Sequence, residues 1–168
     1  MITITISPEV EESLTSLMRG LFELETRLMD MHEPLEQVKD FSKRLWDDNF
    51  LSEGATLGES WKPLAPATLA DRKRKGYFDQ KLVRTHRLYD RFEQLNEEGK
   101  VGMNAVEWTF TNGNDGFPVR HDQGYANPRG RARPIPARNL WGYTARDMDV
   151  IEREIAMYIE ACINRFYG

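Results

Sequence analysis

The stretch GESWKPLAPATLADRKRKGYFDQKLVRTHRLY, residues 58–89, combines turn signals, a lone tryptophan and a basic helix pattern within one short span. Pro66 suits the first position of a helix, and Gly76 suits the left-handed conformation that ends one. The stretch therefore predicts a short helix between these two residues. Pro63 disfavours helix before it and keeps Lys62 extended, so the preceding segment is expected to lie flat on the core.

The last turn of this predicted helix is strongly basic. Its cations are Arg72, Lys73, Arg74 and Lys75. They suit the negative end of the helix dipole, so a solvated and well-capped helix end is the simpler interpretation. Clustered basic residues also suit a surface that contacts a partner, and the sequence leaves both interpretations open.

Length and composition predict one soluble domain that is not exported. The chain has 168 residues and 40% hydrophobic content, enough for a single core, so residues 1–168 are expected to form one domain. A net charge of -4 argues against a general nucleic-acid binder, which is usually basic. No apolar run reaches the roughly 20 residues that span a bilayer, and the N-terminus lacks the features of a signal peptide. The single cysteine, Cys162, suits a reducing cytoplasm and a buried hydrophobic position.

The N-terminal part predicts a strand followed by two acidic helices. Isoleucine alternates with threonine within residues 1–7, which indicates an edge strand or an arm that pairs with another subunit. Ser7 and Pro8 start a helix whose apolar seam is expected to pack inside one globular domain. Pro34 restarts or kinks the helix, and a second apolar stripe continues to about Leu51. The first seam consists of Val10, Leu14, Leu17, Leu21, Leu24, Leu28 and Met31.

The second half of the chain predicts a short helix, a small sheet and an exposed loop. Thr85 suits the N-cap of the short helix. Strand-forming residues at 101–103 and 106–110 indicate a hairpin, and residues 117–121 suit one more short strand or an extended edge. The Arg-rich segment 124–136 is expected to be an exposed, mobile loop.

A final helix follows, and Thr144 with Asp147 resembles a capping box at its start. Strands grouped between helical ends, without alternating βαβ units, predict an α+β fold. In this fold the N-terminal helical pair and the C-terminal helix pack on a small, mainly antiparallel β-sheet. Six residues are expected to be structural anchors: Trp61, Pro63, Leu64, Thr85, Leu88 and Trp141.

Few residues have a pattern that suggests chemistry. His32, His86 and His121 show no ligand spacing, so no metal site and no cofactor are predicted. His121 and Asp122 could form an acid–base pair, but adjacent residues on extended chain point apart, which favours polar loop residues. The sequence therefore predicts a protein that is not an enzyme. The alternative is a nucleic-acid-binding or nuclease module that engages a phosphodiester through Arg129, Arg131 and Arg133, together with Tyr125 and His121.

Four short patterns occur in one order along residues 45–167. They are Gly58-x-x-Trp61-x-Pro63-Leu64-Ala65-x-Ala67-Thr68-Leu69, then Leu82-x-Arg84-Thr85-x-Arg87-Leu88, then His121-x-Gln123-Gly124, then Pro136-Ala137-Arg138 with Gly142 before the final helix. With these patterns the chain resembles the phage virion morphogenesis family, the tail-completion or neck proteins similar to the G protein of phage Mu. It departs from the family pattern at His86, Asp122 and Asn139, where glycine, a directly joined His-Gln and an aromatic residue are expected.

The resemblance implies a single tail-completion-like domain that acts as a non-enzymatic structural component at the joint between capsid and tail. It implies a ring of identical subunits, with six expected, that contacts neck or connector proteins and tail-terminator or tail-tube proteins but no membrane. The expected location is the virion, and the host cytoplasm during assembly. Non-specific contact with DNA in the channel stays an alternative, as does a chaperone that leaves after assembly.

The charge pattern agrees with such a ring, because acidic helices beside a basic stretch offer unlike, complementary faces. The residues expected at the oligomer or partner interface are Ile2, Ile4, Arg72, Lys73, Arg74, Lys75, Arg84, Arg87, Arg129, Arg131, Arg133 and Arg138.

Overall fold

The computed structural model describes residues 8–84, 87–109, 117–124 and 136–167. Their helices are α1 (Pro8–Met29), α2 (His32–Leu51), α3 (Pro66–Lys75), α4 (Arg87–Glu97), α5 (Phe117–Gln123) and α6 (Ala145–Tyr167), with a 3-10 turn at Ala55–Leu57. The strands are β1 (Lys100–Val101) and β2 (Val106–Glu107).

The first two helices form where the apolar periodicity predicts them. α1 begins at Pro8, whose missing N–H is not required at a helix start. Asp30 and Met31 separate it from α2, whose first turn contains the buried Pro34. The chain therefore restarts as a second helix close to Pro34. The proline does not break α2, because the first four N–H groups of a helix have no intrahelical partner.

α3 begins at Pro66 and ends before Gly76, as the sequence predicts. Pro66 is its first residue, Ala65 before it is extended, and Gly76 after it is left-handed with a φ of 68°. The backbone N–H of Tyr77 then donates to the carbonyl of Arg72 at 3.0 Å, which satisfies one of the last carbonyls of the helix. A local pattern of proline and glycine was therefore sufficient to place this element.

The predicted hairpin is present in a shorter form, and the neighbouring strand prediction is wrong. β1 and β2 are antiparallel, with Val101 opposite Val106. Residues 117–121 do not form a strand or an extended edge, because they belong to helix α5. Pro118 lies in the first turn of α5, where proline is compatible with a helix, and its side chain is fully buried.

The core is aromatic and centres on α2. The ring centroid of Phe50 lies 4.9 Å from that of Phe92, 5.0 Å from that of Tyr89 and 5.6 Å from that of Trp61. Aromatic pairs at such distances gain about 0.5–1.5 kcal/mol beyond the burial of their area. α2 therefore holds both α4 and the segment before α3. The buried cluster comprises Leu45, Trp46, Phe50, Trp61, Val83, Phe92 and Leu140.

The arrangement of these elements confirms the α+β class. Helices dominate, and the sheet is the small antiparallel pair of β1 and β2. α2 lies at the centre, against the hairpin, α4 and α6, whereas α1 packs along α6. In the described part of the chain, no helix is long and apolar enough to cross a membrane.

The position of Trp61 in the core depends on the left-handed backbone of Gly54. It is buried, and its indole N–H donates to the carbonyl of Asn139 at 3.4 Å. Gly54 has a φ of 95°, and a Cβ atom at this residue would lie 2.5 Å from the Trp61 ring. Only glycine provides both the left-handed backbone and the space for the indole.

The other expected anchors contribute differently. Pro63 is exposed and Leu64 is half-buried, so the proline restricts the backbone of this segment without adding core contact. Leu88 and Trp141 are half-buried, and Thr85 lies outside the described residues.

Candidate functional site

α1 and the C-terminal part of α6 form an antiparallel two-helix arm. The ring of Phe166 packs at Gly20, where an added Cβ atom would lie 2.8 Å from the ring. The hydroxyl of Tyr158 donates to the carbonyls of Arg27 and Asp30, at 3.3 and 3.1 Å. Later residues of α6 thus face earlier residues of α1. Residues 8–19 of α1, roughly three turns, precede the contact at Gly20.

α1 carries a wide apolar stripe that α6 covers at one edge. Gly20, Leu24 and Leu28 are half-buried, and no residue of α1 is fully buried. Between Val10 and Phe22, six large apolar side chains keep exposed fractions from 46% to 70%. Soluble monomers rarely leave so large an apolar surface in water, which makes it a candidate interaction surface. These residues, the α1 stripe, are Val10, Leu14, Leu17, Met18, Leu21 and Phe22.

This exposure corrects the expectation that the apolar seam of α1 packs inside the domain. Among the described elements, α6 is the one that packs against α1. An open groove of about 910 Å³ lies between α1 and the C-terminal part of α6. The N-terminal part of α1 is also acidic, because residues 8–18 contain Glu9, Glu11 and Glu12 but no lysine or arginine.

α3 presents exposed cations, as its sequence predicts. The carboxylate of Asp71 accepts hydrogen bonds from Arg74 at 2.7 Å and Lys75 at 2.9 Å, and these contacts lower the pKa of Asp71. Such exposed pairs contribute little energy, so their cations can exchange partners readily. Lys73 is also exposed. The three cations, the α3 basic surface, are Lys73, Arg74 and Lys75.

Two further predicted interface cations lie on the surface close in sequence to α3. The guanidinium of Arg84 lies over the ring of Tyr77, with its central carbon 4.7 Å from the ring centroid. Arg87 is exposed at the first residue of α4. Both therefore remain accessible to a partner.

Two arginines that the sequence places at an interface are buried instead. Arg72 is 8% exposed, and its Nη1 donates to the carbonyls of Phe78 and Gln80, at 3.0 and 2.7 Å. It thereby closes the loop that returns after α3. Arg138 is 5% exposed, and its backbone N–H donates to the carbonyl of His121 at 2.9 Å. Neither arginine is accessible to a partner, so both act within the fold.

Arg138 belongs to a buried polar cluster that joins distant parts of the chain. Burial lowers the pKa of Arg138, the carboxylate of Glu53 acts in the opposite direction, and Arg72 adds to the lowering. Glu53 accepts from the backbone N–H and the ammonium of Lys81, each at 2.6 Å. Burial acts to raise the pKa of Glu53, but the contacts with Lys81 outweigh it and leave that pKa lowered. Glu53 is thus an ionised counter-charge inside a cationic cluster.

The patterns that carry the family resemblance meet in the fold. The carboxylate of Asp122 accepts from the backbone N–H of Leu140 at 2.8 Å, which fixes α5 to the Pro-Ala-Arg segment. Trp61 reaches the same segment through Asn139. The expectation that His121 and Asp122 are polar loop residues is wrong, because both are half-buried in α5. The expectation also assumed that these residues lie on extended chain, where adjacent side chains point apart, whereas α5 is a helix.

The half-buried position of His121 predicts a loss of stability in mild acid. Burial, followed by the positive charge of Arg138, lowers the pKa of His121 to about 4. Unfolded histidine titrates near 6.5, so the unfolded state takes up this proton at higher pH than the folded state. The contribution of His121 to the free energy of unfolding is full above about pH 6.5 and declines as the pH falls towards 4. Allowing for partial solvent exposure, we expect a loss of roughly 1–2 kcal/mol.

Urea denaturation at about pH 7 and about pH 4.5 measures this loss. The control is His121→Gln, which keeps a polar side chain of similar size but does not titrate. Burial raises the pKa of the adjacent Asp122, but this carboxyl is present in both chains and cancels in the difference. An equal loss of stability in the wild type and in His121→Gln would contradict the prediction.

The sequence interpretation missed the buried polar residues of α2. Ser42 and Asn49 have no exposed surface. The available signal was their position, because both lie three or four residues from Leu45 and Trp46 on the face that enters the core. Polar residues on such a face require internal hydrogen bonds, and Asn49 makes several of them to other segments.

Five of the expected interface residues lie outside the described residues: Ile2, Ile4, Arg129, Arg131 and Arg133. Their roles, and the nucleic-acid alternative that depends on the loop arginines, stay predictions. Within the described ranges, no group of three or more His, Cys, Asp and Glu side chains is placed to hold a metal ion. Cys162 is buried in α6 as a free thiol.

The fold and its surfaces define an α+β protein with an apolar, acidic arm and a basic helix. Comparisons of the chain with family models, with curated proteins and with solved structures find no match. Its function is therefore a proposal that rests on the surfaces and sequence patterns described above.

Proposed function

We propose that this chain is a structural, non-enzymatic component of a phage virion that acts at the head–tail joint. In this role it assembles as a ring of identical subunits, with six expected, and joins the capsid connector to the tail. The observation that carries the proposal is the α1 stripe. Its side chains, from Val10 to Phe22, are too exposed for a protein that functions as an isolated monomer.

The arm supports an assembly role because contact with a partner would stabilise it. Tertiary packing supplies most of the stability of helices in proteins, and α1, which has no fully buried residue, gains little from it. Covering the α1 stripe would remove apolar area from water, at about 25 cal/mol per Å². Assembly is then the step that stabilises α1, and this suits a protein whose working state is a ring.

The distribution of charge supports a ring in which unlike faces meet. The N-terminal part of α1 is acidic, whereas the last turn of α3 is basic. A contact between different faces of identical subunits is heterologous, and repeated contacts of this kind generate a closed ring when the rotation permits. Complementary charge also fixes register and suppresses wrong partners.

The contacts among the resemblance patterns are compatible with this role. The Trp61 segment, α5 and the Pro-Ala-Arg segment are joined by hydrogen bonds at 2.8–3.4 Å through Asp122 and Asn139. Three of the four patterns therefore include residues that build one rigid unit, although Asp122 is a departure from the family pattern, and the arm is attached to this unit through α6 and α2. A rigid body with a projecting arm suits a subunit that must span two neighbours.

Electron microscopy of particles made without this protein tests the proposal. We expect filled heads and finished tails that remain separate, because the joint between connector and tail terminator or tail tube is missing. Supplying the purified protein to such an extract should restore joined particles. Normal virions in its absence would refute the joining role, and joined virions that lack the protein would indicate a chaperone that leaves after assembly.

A further inference from the structure

The N-terminal part of α1, which carries the α1 stripe, and the α3 basic surface differ in charge. Residues 8–18 of α1 carry glutamates without any lysine or arginine. α3 has four basic residues in its last turn, of which Arg72 is buried and three remain exposed. The two surfaces are therefore opposite in sign, although Asp71 pairs with Arg74 and Lys75 on α3, and Arg165 of α6 lines the groove beside Glu9 and Glu12.

A contact between two copies of α1 is electrostatically unfavourable. It would bring Glu11 and Glu12 of one copy near the same acidic helix of the other, and like charges at an interface oppose binding. A contact between α1 and α3 of different copies would instead place these glutamates opposite Lys73 and Arg74. The charges therefore favour a heterologous contact.

α3 is accessible and offers apolar side chains beside its cations. No described helix or strand packs along α3, which is attached to its own chain through the buried Arg72. Leu69 lies one helical turn before Lys73 and is 38% exposed, and Phe78 is 57% exposed just after the helix. Apolar side chains flanked by cations complement an apolar stripe flanked by glutamates.

We propose that the α1 stripe of one subunit docks on the α3 basic surface of a second copy of this chain, with Leu69 and Phe78 in the contact. This inference rests on the proposed function for the closed ring, because a head-to-tail contact of this kind requires closure to give a finite assembly. It adds the identity of the two faces, which the resemblance does not supply.

A charge-swap experiment on the full chain tests this contact. The variants are Glu11→Lys with Glu12→Lys, Lys73→Glu with Arg74→Glu, and the combination of all four substitutions. Lys75 is left in place so that Asp71 keeps one of its two partners. Light scattering after size exclusion and sedimentation velocity, over a range of concentrations at low salt, give the assembly state and the dissociation constant.

We expect each charge reversal alone to weaken association by roughly tenfold or more, since reversed rim charges replace attraction with repulsion. The combination should restore association to within about threefold of the wild type, because it exchanges the two signs across the same contact. The matched control, Asp40→Lys with Asp48→Lys, changes the net charge by the same amount as the α1 variant on exposed residues of α2. It should associate like the wild type.

Several outcomes would overturn the inference. Association that is unchanged by reversal on α3, or weakened equally by the control, would exclude this contact while leaving a ring built from other faces. Failure of the combination to recover would exclude direct pairing of the two surfaces. A wild-type chain that stays monomeric at every concentration would also overturn it, whereas the joining role is decided separately by particles made without the protein.

Discussion

Replacing Phe50 with alanine is expected to lower the free energy of unfolding by about 3–5 kcal/mol, the range found for a buried phenylalanine. Phe50 has no exposed surface, and its ring packs against Trp61 and Phe92. The substitution removes the buried ring and leaves a cavity between α2, α4 and the segment before α3. The loss should be large because neighbouring aromatic rings cannot collapse into the space without leaving their own contacts.

Urea denaturation followed by tryptophan fluorescence measures this effect. The matched control is Leu51→Ala, one residue further along α2, because Leu51 is 57% exposed. Surface substitutions of this kind usually change stability by no more than about 0.5 kcal/mol. If the two variants lost similar free energy, the aromatic cluster around Phe50 would not be the centre of the core.

Local signals in the sequence were enough to predict most helices. Pro66 and Gly76 placed both ends of α3, and Thr144 with Asp147 placed the start of α6, where the carboxylate accepts from the Thr144 backbone N–H at 2.7 Å. These signals work because each satisfies backbone groups within a few residues. α5 was missed since it is a single short helix, and the same residues around Pro118 are compatible with an extended edge.

The interface prediction failed where burial depends on distant partners. Arg72 and Lys73 are equivalent by composition, yet Arg72 is buried because the chain returns with the carbonyls of Phe78 and Gln80. Arg138 is buried because α5 and Glu53 surround it, and these lie far away in sequence. A charge pattern states which residues are cationic, but the tertiary fold decides which of them reach solvent.

The apolar pattern of α1 shows that sequence also fails to predict which apolar side chains stay exposed. Its periodicity correctly predicted an amphipathic helix, but it did not show how much of the apolar face the chain itself would cover. α6 covers the side of α1 that contains Gly20, Leu24 and Leu28, so the stripe from Val10 to Phe22 stays exposed. The tertiary fold decides which side of α1 is covered, and this turns a predicted core helix into a candidate interface.

Replacing Asn49 with alanine is expected to lower the free energy of unfolding by about 2–4 kcal/mol, although its side chain is small and polar. Its amide nitrogen donates to the carbonyls of Asn139 at 2.7 Å and Leu140 at 3.3 Å. Its oxygen accepts from the backbone N–H of Leu57 at 3.2 Å. Alanine would remove the partner of the Leu140 carbonyl and of the Leu57 N–H, whereas the Asn139 carbonyl keeps the indole N–H of Trp61. Each buried group left unsatisfied costs about 1–3 kcal/mol, not fully additively.

We also expect the effect of Asn49→Ala on hydrogen exchange to be confined to one segment, unlike the effect of Phe50→Ala. Asn49 links α2 to the Pro-Ala-Arg segment, so hydrogen exchange in residues 136–142 should accelerate under native conditions while the amides of α4 keep most of their protection. Asn164→Ala, at an exposed position of α6, is the control and should leave both stability and exchange nearly unchanged. Unchanged exchange in residues 136–142 despite lower stability would mean that Asn49 acts through α2 alone. Faster exchange there would show that one buried amide fixes the segment that carries Arg138, and with it the rigid unit to which the arm is attached.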